Sequence, residues 1–265
     1  MSNNVLFNNN DDYGTLASEI NDAMFENIIV PEKIRDEIPT LNKHGYMKIE
    51  IDEFSQEFIN IAKNTSDTLL EMGTAYGYTV QKVLENGGKI VANDLSHEHL
   101  KILIKNTKKE YRKNLLIKQG AFPDIDFPEN SFASILTSRM MHFLDVDQFK
   151  LGMKKIHNWL KPSGKFIFIT LSPYHYTLNE HFQPIFNKRW SLGDHWPGLI
   201  DNNKELAGVL ADDVPDFIQV FDVEQLELLM PQFGFNIDKV KLFDYESNDS
   251  NGKGHVGMIA TKISS

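Results

Sequence analysis

The sequence predicts an α/β fold. The expected core is a doubly wound, mostly parallel seven-stranded sheet with an antiparallel last strand. N-terminal helices and an insertion after the fifth strand are expected to form a lid. Three observations predict this. Short apolar runs alternate with stretches of helical spacing from Asp67 to Leu171. The alternation pauses from Ser172 to Phe217 and resumes with a helix at Asp222. The last two apolar runs are joined by a polar, glycine-containing link with no helical signal, which makes them a hairpin.

Each element follows in order. The first dozen residues are rich in asparagine and are expected to be mobile. From Thr15 to Asn64 the pattern reads as helical pieces cut by Pro31 and Pro39. Phe54, Phe58, Ile61 and Ala62 mark the clearest of them. Thr68 to Met72 is the first strand, and the helix from Tyr78 to Glu85 stops at Gly87-Gly88. Lys89 to Asp94 is the second strand, followed by helical spacing from His97 to Lys109. Leu115 to Ile117 and Phe132 to Thr137 are the third and fourth strands. Phe149, Met153, Ile156 and Leu160 form one stripe of a long helix before the fifth strand, Lys165 to Leu171. After the insertion come a helix from Asp222 and strands at Ile237 to Phe243 and Val256 to Ile263.

With 265 residues, the chain reads as one large domain with additions. Residues 1–65 are expected to be a helical lid segment. Residues 66–265 form the main domain, with the aromatic insertion at 172–217. Lys and Arg total 27 against 37 Asp and Glu, a net charge of −10 that argues against a nucleic-acid partner. Cysteine is absent, which removes disulfides, thiolate metal sites and thiol nucleophiles. No secretory signal and no apolar run long enough to span a membrane are read, so a cytoplasmic protein is expected. Histidine spacing in His97-Glu98-His99 does not suit a metal, and Asp145-Val146-Asp147 reads as a helix cap, so no metal is expected. The oligomeric state is left open.

Two signals point to a nucleoside ligand. Glu71-Met72-Gly73-Thr74-Ala75-Tyr76-Gly77 joins the first strand to its helix, and small residues there let a ligand approach the backbone. Asp94 ends the second strand, where a carboxylate accepts from ribose hydroxyls. An acid at Glu71 would repel a pyrophosphate and suits a ligand with a cationic amino group.

These residues resemble a known family, the class I S-adenosylmethionine-dependent methyltransferases. Glu71 to Gly77 looks like their motif I, and Asp94 like their second-strand acid. Phe127-Pro128-Glu129-Asn130-Ser131-Phe132 resembles the stretch entering their fourth strand. Leu136 to Phe143 resembles that strand's end and the helix after it, and Leu160-Lys161-Pro162-Ser163-Gly164-Lys165 resembles their turn before the fifth strand. The resemblance implies S-adenosylmethionine as cofactor. It implies that Glu71 serves the cofactor's amino end, that Gly73, Ala75 and Gly77 permit close approach, and that Asp94 holds the ribose. Leu95 and Phe122 would meet the adenine, and Ser138 the methionine end. Ala121 stands where many relatives carry an acid for the adenine amino group, so that contact is either lost or taken by a neighbour such as Gln119 or Asp124.

The implied activity is methyl transfer to a small organic molecule. A cofactor-binding protein without activity, or a methyltransferase acting on a protein or nucleic acid, are the alternatives. Candidate acceptor-side groups follow the fourth and fifth strands: His142, Tyr174 and His175 as catalytic residues, and Arg139, Tyr176, Trp190 and Trp196 as substrate contacts. The aromatic insertion is read as enclosing an apolar pocket.

Overall fold

The computed structural model describes residues 12–25, 28–34, 36–207, 212, 214–246 and 250–263. The asparagine-rich first eleven residues lie outside the described residues. Three short strands come first: β1 (Thr15–Leu16), β2 (Glu37–Pro39) and β3 (Tyr46–Lys48). Helix α1 (Glu53–Asn64) starts at Asp52, whose carboxylate accepts from the Phe54 and Ser55 N–H groups. Then come β4 (Thr68–Met72), α2 (Tyr78–Glu85), β5 (Lys89–Asp94), α3 (His97–Asn106), β6 (Leu115–Gln119) and β7 (Phe132–Ser138). Helix α4 (Val146–Trp159) is capped by Asp145, within the stretch read as a helix cap, with Gln148 closing a reciprocal capping box, and leads into β8 (Leu160–Leu171).

The insertion holds α5 (Asn179–Ser191), β9 (Leu199–Ile200), α6 (Asn203–Ala207) and β10 (Ile218–Gln219). The chain closes with α7 (Val223–Leu229), β11 (Phe235–Phe243) and β12 (His255–Lys262). Among the described residues, no helix is long and apolar enough to cross a membrane.

The main sheet has the order β1-β6-β5-β4-β7-β8-β12-β11. Strands β4 to β8 pair in parallel, and β12 runs antiparallel to both β8 and β11. From central β4 the chain steps to β5 on one side and later to β7 on the other. The crevice beyond the carboxyl ends of these strands is where α/β sheets bind ligands. Alternation along each strand feeds two cores. Leu69, Ile90, Ile117 and Ile167 pack with α1, α2 and α3, while Leu70, Phe132, Phe166 and Phe168 pack with α4 and α7.

The seven expected strands are present, with two corrections. An eighth, two-residue strand, β1, pairs antiparallel with β6 at the sheet edge. It is too short to leave a period in the sequence. Gly14 permits it: a Cβ there would sit 2.1 Å from the Ile117 carbonyl oxygen. The described residues between 12 and 51 also form no α-helix. They form two single 3-10 turns, β1 and the antiparallel hairpin β2–β3, in which Glu37 faces Lys48. Pro39 sits within this hairpin, where no helix could run through it.

The insertion builds its own small core. Leu178, Phe182, Phe186, Ile200, Ile218 and Val220 are buried together, with Phe143 and Leu171 against them. Its first turn is tied to the β11–β12 link. The Ser172 N–H donates to the Gly254 carbonyl at 3.0 Å, and Tyr176 N–H to Ser250 Oγ at 2.9 Å. Asp244 organises that link by accepting from the N–H groups of Ser250, Gly252 and Gly254.

Candidate active site

The turn after β4 is shaped by three left-handed residues: Gly73 (φ +71°), Ala75 (φ +46°) and Gly77 (φ +77°). Gly73 N–H donates to the Asn93 carbonyl, binding the turn to β5 at 2.9 Å. A Cβ on Gly73 would press on the Met140 side chain at 2.6 Å. Ala75 N–H donates to Asp94 Oδ2 at 2.8 Å. Gly77 does a different task from the one expected. It caps α2 and does not line the cleft, and a Cβ there would meet Leu103 at 2.5 Å. Its small size serves helix packing.

Asp94 is buried and its carboxylate is an organising centre. Oδ1 accepts from Ser96 N–H at 2.8 Å and faces His99 Nδ1 at 3.1 Å. Ser96, not Asp94, caps α3. Glu71 is buried at the end of β4, and its Oε2 has no hydrogen-bond partner. Burial, reinforced by the negative charge of Asp94, pushes its carboxyl up to about 8.

These residues wall a cleft of about 220 Å³ at the carboxyl ends of β4, β5 and β7. Eight of the nine expected cofactor residues line it: Glu71, Gly73, Ala75, Asp94, Leu95, Ala121, Phe122 and Ser138. Neither Gln119 nor Asp124 reaches it to replace an acid at Ala121; Gln119 Nε2 turns to the Leu95 carbonyl. The Phe122 ring is directed to the core, edge-on to Trp159 and against Gly152. The cleft fits an S-adenosyl group. Glu71 offers an unpartnered buried carboxyl oxygen for an ammonium. The glycine turn leaves room against the backbone, and Asp94 stands at the strand end.

Sequence reasoning missed the other wall. The β2–β3 hairpin supplies Tyr46 and Lys48, and Asp52, Ser55 and Tyr245 complete it. Tyr245 is buried and donates to Asp52 Oδ2 at 3.1 Å; burial pushes its hydroxyl well above the usual range. Only Asp52 left a local signal, as a cap before a helical run. The rest are brought in by pairings far apart in sequence.

A second chamber of about 130 Å³ adjoins the cleft, and Arg139, Phe143, Tyr46 and His44 line both. The structure brings Arg139, His142, His175 and Tyr176 together in it, with His255 added from β12. Burial holds His142 down to about 3 and His175 down to about 4, and pushes His255 well below the usual imidazole range. All three are neutral imidazoles at neutral pH.

Three expected contacts do not arrive. Tyr174 lines neither cavity and donates to Asp222 Oδ2 at 2.7 Å. Trp190 donates from Nε1 to Glu224, and the Trp196 ring packs edge-on to Phe149. Aromatic content alone did not reveal that these rings seat the insertion on its neighbours.

Comparison with known proteins agrees with this geometry. A family model described as a methyltransferase domain matches residues 69–164, from β4 through the turn into β8. Two curated ubiquinone/menaquinone biosynthesis C-methyltransferases, from two strains of Rickettsia bellii, are each 22% identical over 218 residues. Each alignment covers 80% of this chain and 83% of the relative. Among solved structures, a SAM-dependent methyltransferase of Methanosarcina mazei superposes with a TM-score of 0.59 at 14% identity, covering 76% of this chain and 94% of that one. The 1,6-didemethyltoxoflavin-N1-methyltransferase of Burkholderia thailandensis, solved with its substrate and S-adenosylhomocysteine, gives 0.57 at 16% identity, covering 80% and 78%. The matched methyltransferase domain spans the very turn, strand end and cleft described above: over residues 69–164 the chain is similar to methyltransferase domains, and its fold is the one these S-adenosylmethionine-dependent methyltransferases share.

Proposed function

We propose that the protein transfers a methyl group to a small organic molecule held in the second chamber. The observation that carries this reading is the chamber itself. It adjoins the cofactor cleft, shares Arg139 and Phe143 with it, and has a volume of about 130 Å³. That space suits a compact molecule, not a polymer. The net charge of −10 also disfavours nucleic acid. The named substrate of the toxoflavin enzyme, and the biosynthetic role in the names of the Rickettsia relatives, are of the same kind.

In this reading each residue has a task. Asp94 would hold the ribose, using the capacity left on its Oδ2. Glu71 would pair with the ammonium, ionising as it does so. Leu95 and the backbone at Ala121 and Phe122 would meet the adenine, and Ser138 the methionine end. Bound S-adenosylmethionine supplies a methyl group already activated by its sulfonium. What remains for the chain is to align the acceptor and exclude water. Arg139, His142 and His175 are the groups placed to orient an acceptor. The hairpin and the insertion form the lid that covers it.

The test is to incubate the protein with methyl-tritiated S-adenosylmethionine and a cell extract, then separate small molecules, protein and nucleic acid. Label should enter the low-mass fraction. Label in protein or nucleic acid would redirect the assignment. S-adenosylhomocysteine binding without any transfer would leave a cofactor-binding protein without activity.

A further inference from the structure

Arg139 carries a positive charge that the described residues leave without a counterion. It lies at the seam between cleft and chamber, partly buried. Its Nη2 donates to the Tyr46 carbonyl oxygen at 2.9 Å, and its guanidinium stands 5.5 Å from the centroid of the Tyr245 ring. Neither partner is an anion. Among the described residues Arg139 forms no salt bridge, and its Nε is buried with no hydrogen-bond partner. Glu37, the carboxylate that lines the chamber, is already paired with Lys48 at 2.5 Å.

The backbone is set to hold this charge in place. Arg139 follows β7 directly and sits in the left-handed region, at φ +52°, where a side chain beyond glycine is strained. Its N–H donates to the Ile169 carbonyl at 2.8 Å, which fixes the turn.

Two more orphaned atoms face the same problem. His142 and His255 are 6% and 1% exposed, both line the chamber, and Nδ1 of each lacks a partner. Buried polar atoms without partners are costly and call for an explanation. The imidazoles here are held neutral by burial, so Arg139 is the one cation among the described residues that line the chamber. An anion in the chamber would answer all three: it would pair with Arg139 and bring polar groups to the two imidazoles. The chamber's 130 Å³ is close to the roughly 150 Å³ that accommodates one benzene ring.

We propose that the methyl acceptor is a small anion of about one aromatic ring in size, seated with its charged oxygen on Arg139. The inference rests on the transferase reading above for the word acceptor, but the binding site can be tested by itself.

The experiment uses the full chain saturated with S-adenosylhomocysteine and measures binding by calorimetry. The probes are benzoate and phenylacetate, their amides, and benzylamine. At least one acid should bind about tenfold tighter than its amide, with the amine weakest. Arg139→Gln should bring the acid-to-amide ratio to near one, and Arg139→Lys should keep a preference for the acid. Because the ratio is taken within one protein, a general loss of stability does not move it. Amides binding as well as acids, a ratio unchanged by Arg139→Gln, or no binding by either acid would overturn the proposal. Loss of the anion preference with label still entering the low-mass fraction sinks this inference alone. Anion binding without any transfer sinks the transferase reading alone.

Discussion

The Tyr76 hydroxyl donates to the Pro39 carbonyl at 2.8 Å and accepts from the Leu41 N–H at 3.0 Å. A residue of the turn after β4 thus clasps the loop of the β2–β3 hairpin, 37 residues away. Thr40, Asn42 and His44 of that loop line the cofactor cleft. The ring itself is buried, edge-on to His99. Tyr76→Phe keeps the ring and removes the clasp. It should cost about 1–3 kcal/mol through the two backbone groups left unpaired. Amide exchange should rise between Thr40 and Lys48, and S-adenosylhomocysteine should bind more weakly. Unchanged exchange in that loop would show that the hydroxyl does not hold the hairpin.

Both oxygens of Asp94 accept from backbone N–H groups, Oδ2 from Ala75 and Oδ1 from Ser96. Asp94→Asn must turn an amide NH2 toward one of those donors. The turn should loosen and the apo melting temperature should fall. S-adenosylhomocysteine should raise the wild-type melting temperature clearly and the variant's much less. Differential scanning calorimetry of both proteins with and without ligand checks this. A wild-type-sized ligand shift in Asp94→Asn would remove Asp94 from the site.

Ala75 stands where the family places its middle glycine, and the structure shows a cost that the sequence hides. Its φ of +46° lies in the left-handed region, about 1–2 kcal/mol unfavourable for a residue with a Cβ. Ala75→Gly removes that penalty and adds chain entropy to the unfolded state, so the net gain should be at most about 1 kcal/mol. Cofactor affinity should hold or improve, since the Ala75 N–H still meets Asp94. A loss of more than about 1 kcal/mol in urea unfolding would mean that the methyl group packs usefully in the cleft.

What the sequence made legible was local. The strand–turn–helix units from β4 to β8 each carry their own apolar period, and Gly73 and Asp94 sit at fixed places along them; the turn expected at Pro162 is a register irregularity inside β8. Asp145 announced the start of α4 because a helix cap is written in neighbouring residues. The hairpin β2–β3 was misread as helix because its strands have three residues each, too few for a period of two to emerge. Helix α5 gave no signal because Pro184 interrupts its spacing. The second chamber was half legible. Arg139, His142 and His175 follow strand ends, where site residues concentrate, but His255 arrives through the pairing of β12 with β8, as His255 opposite Leu171. Trp190 and Trp196 failed as site residues because aromatic rings fill cores as readily as they line pockets.

The buried carboxyl of Glu71 makes the protein's stability depend on pH. Its pKa rises from 4.5 in an exposed chain to about 8 in the fold, chiefly through burial. Below 4.5 both states hold the proton, and the site's contribution is fully present. Between 4.5 and 8 the unfolded chain releases the proton while the native one keeps it, so stability falls as pH rises, by at most about 1.4 kcal/mol per pH unit. Above 8 the contribution is lost. Glu71→Gln has the shape of the protonated side chain and cannot ionise. Urea unfolding of the apo proteins should therefore show the variant gaining on wild type from pH 5 to pH 9. Ligand binding should respond with the opposite sign. An ammonium at Glu71 favours its ionised form, so S-adenosylhomocysteine should bind wild type more tightly as pH rises from 6 to 8, with proton release detectable by calorimetry in two buffers. Glu71→Gln should bind more weakly and show a flat profile over that range. Parallel profiles for the two proteins in both measurements would place the ammonium elsewhere and leave Glu71 as a structural acid.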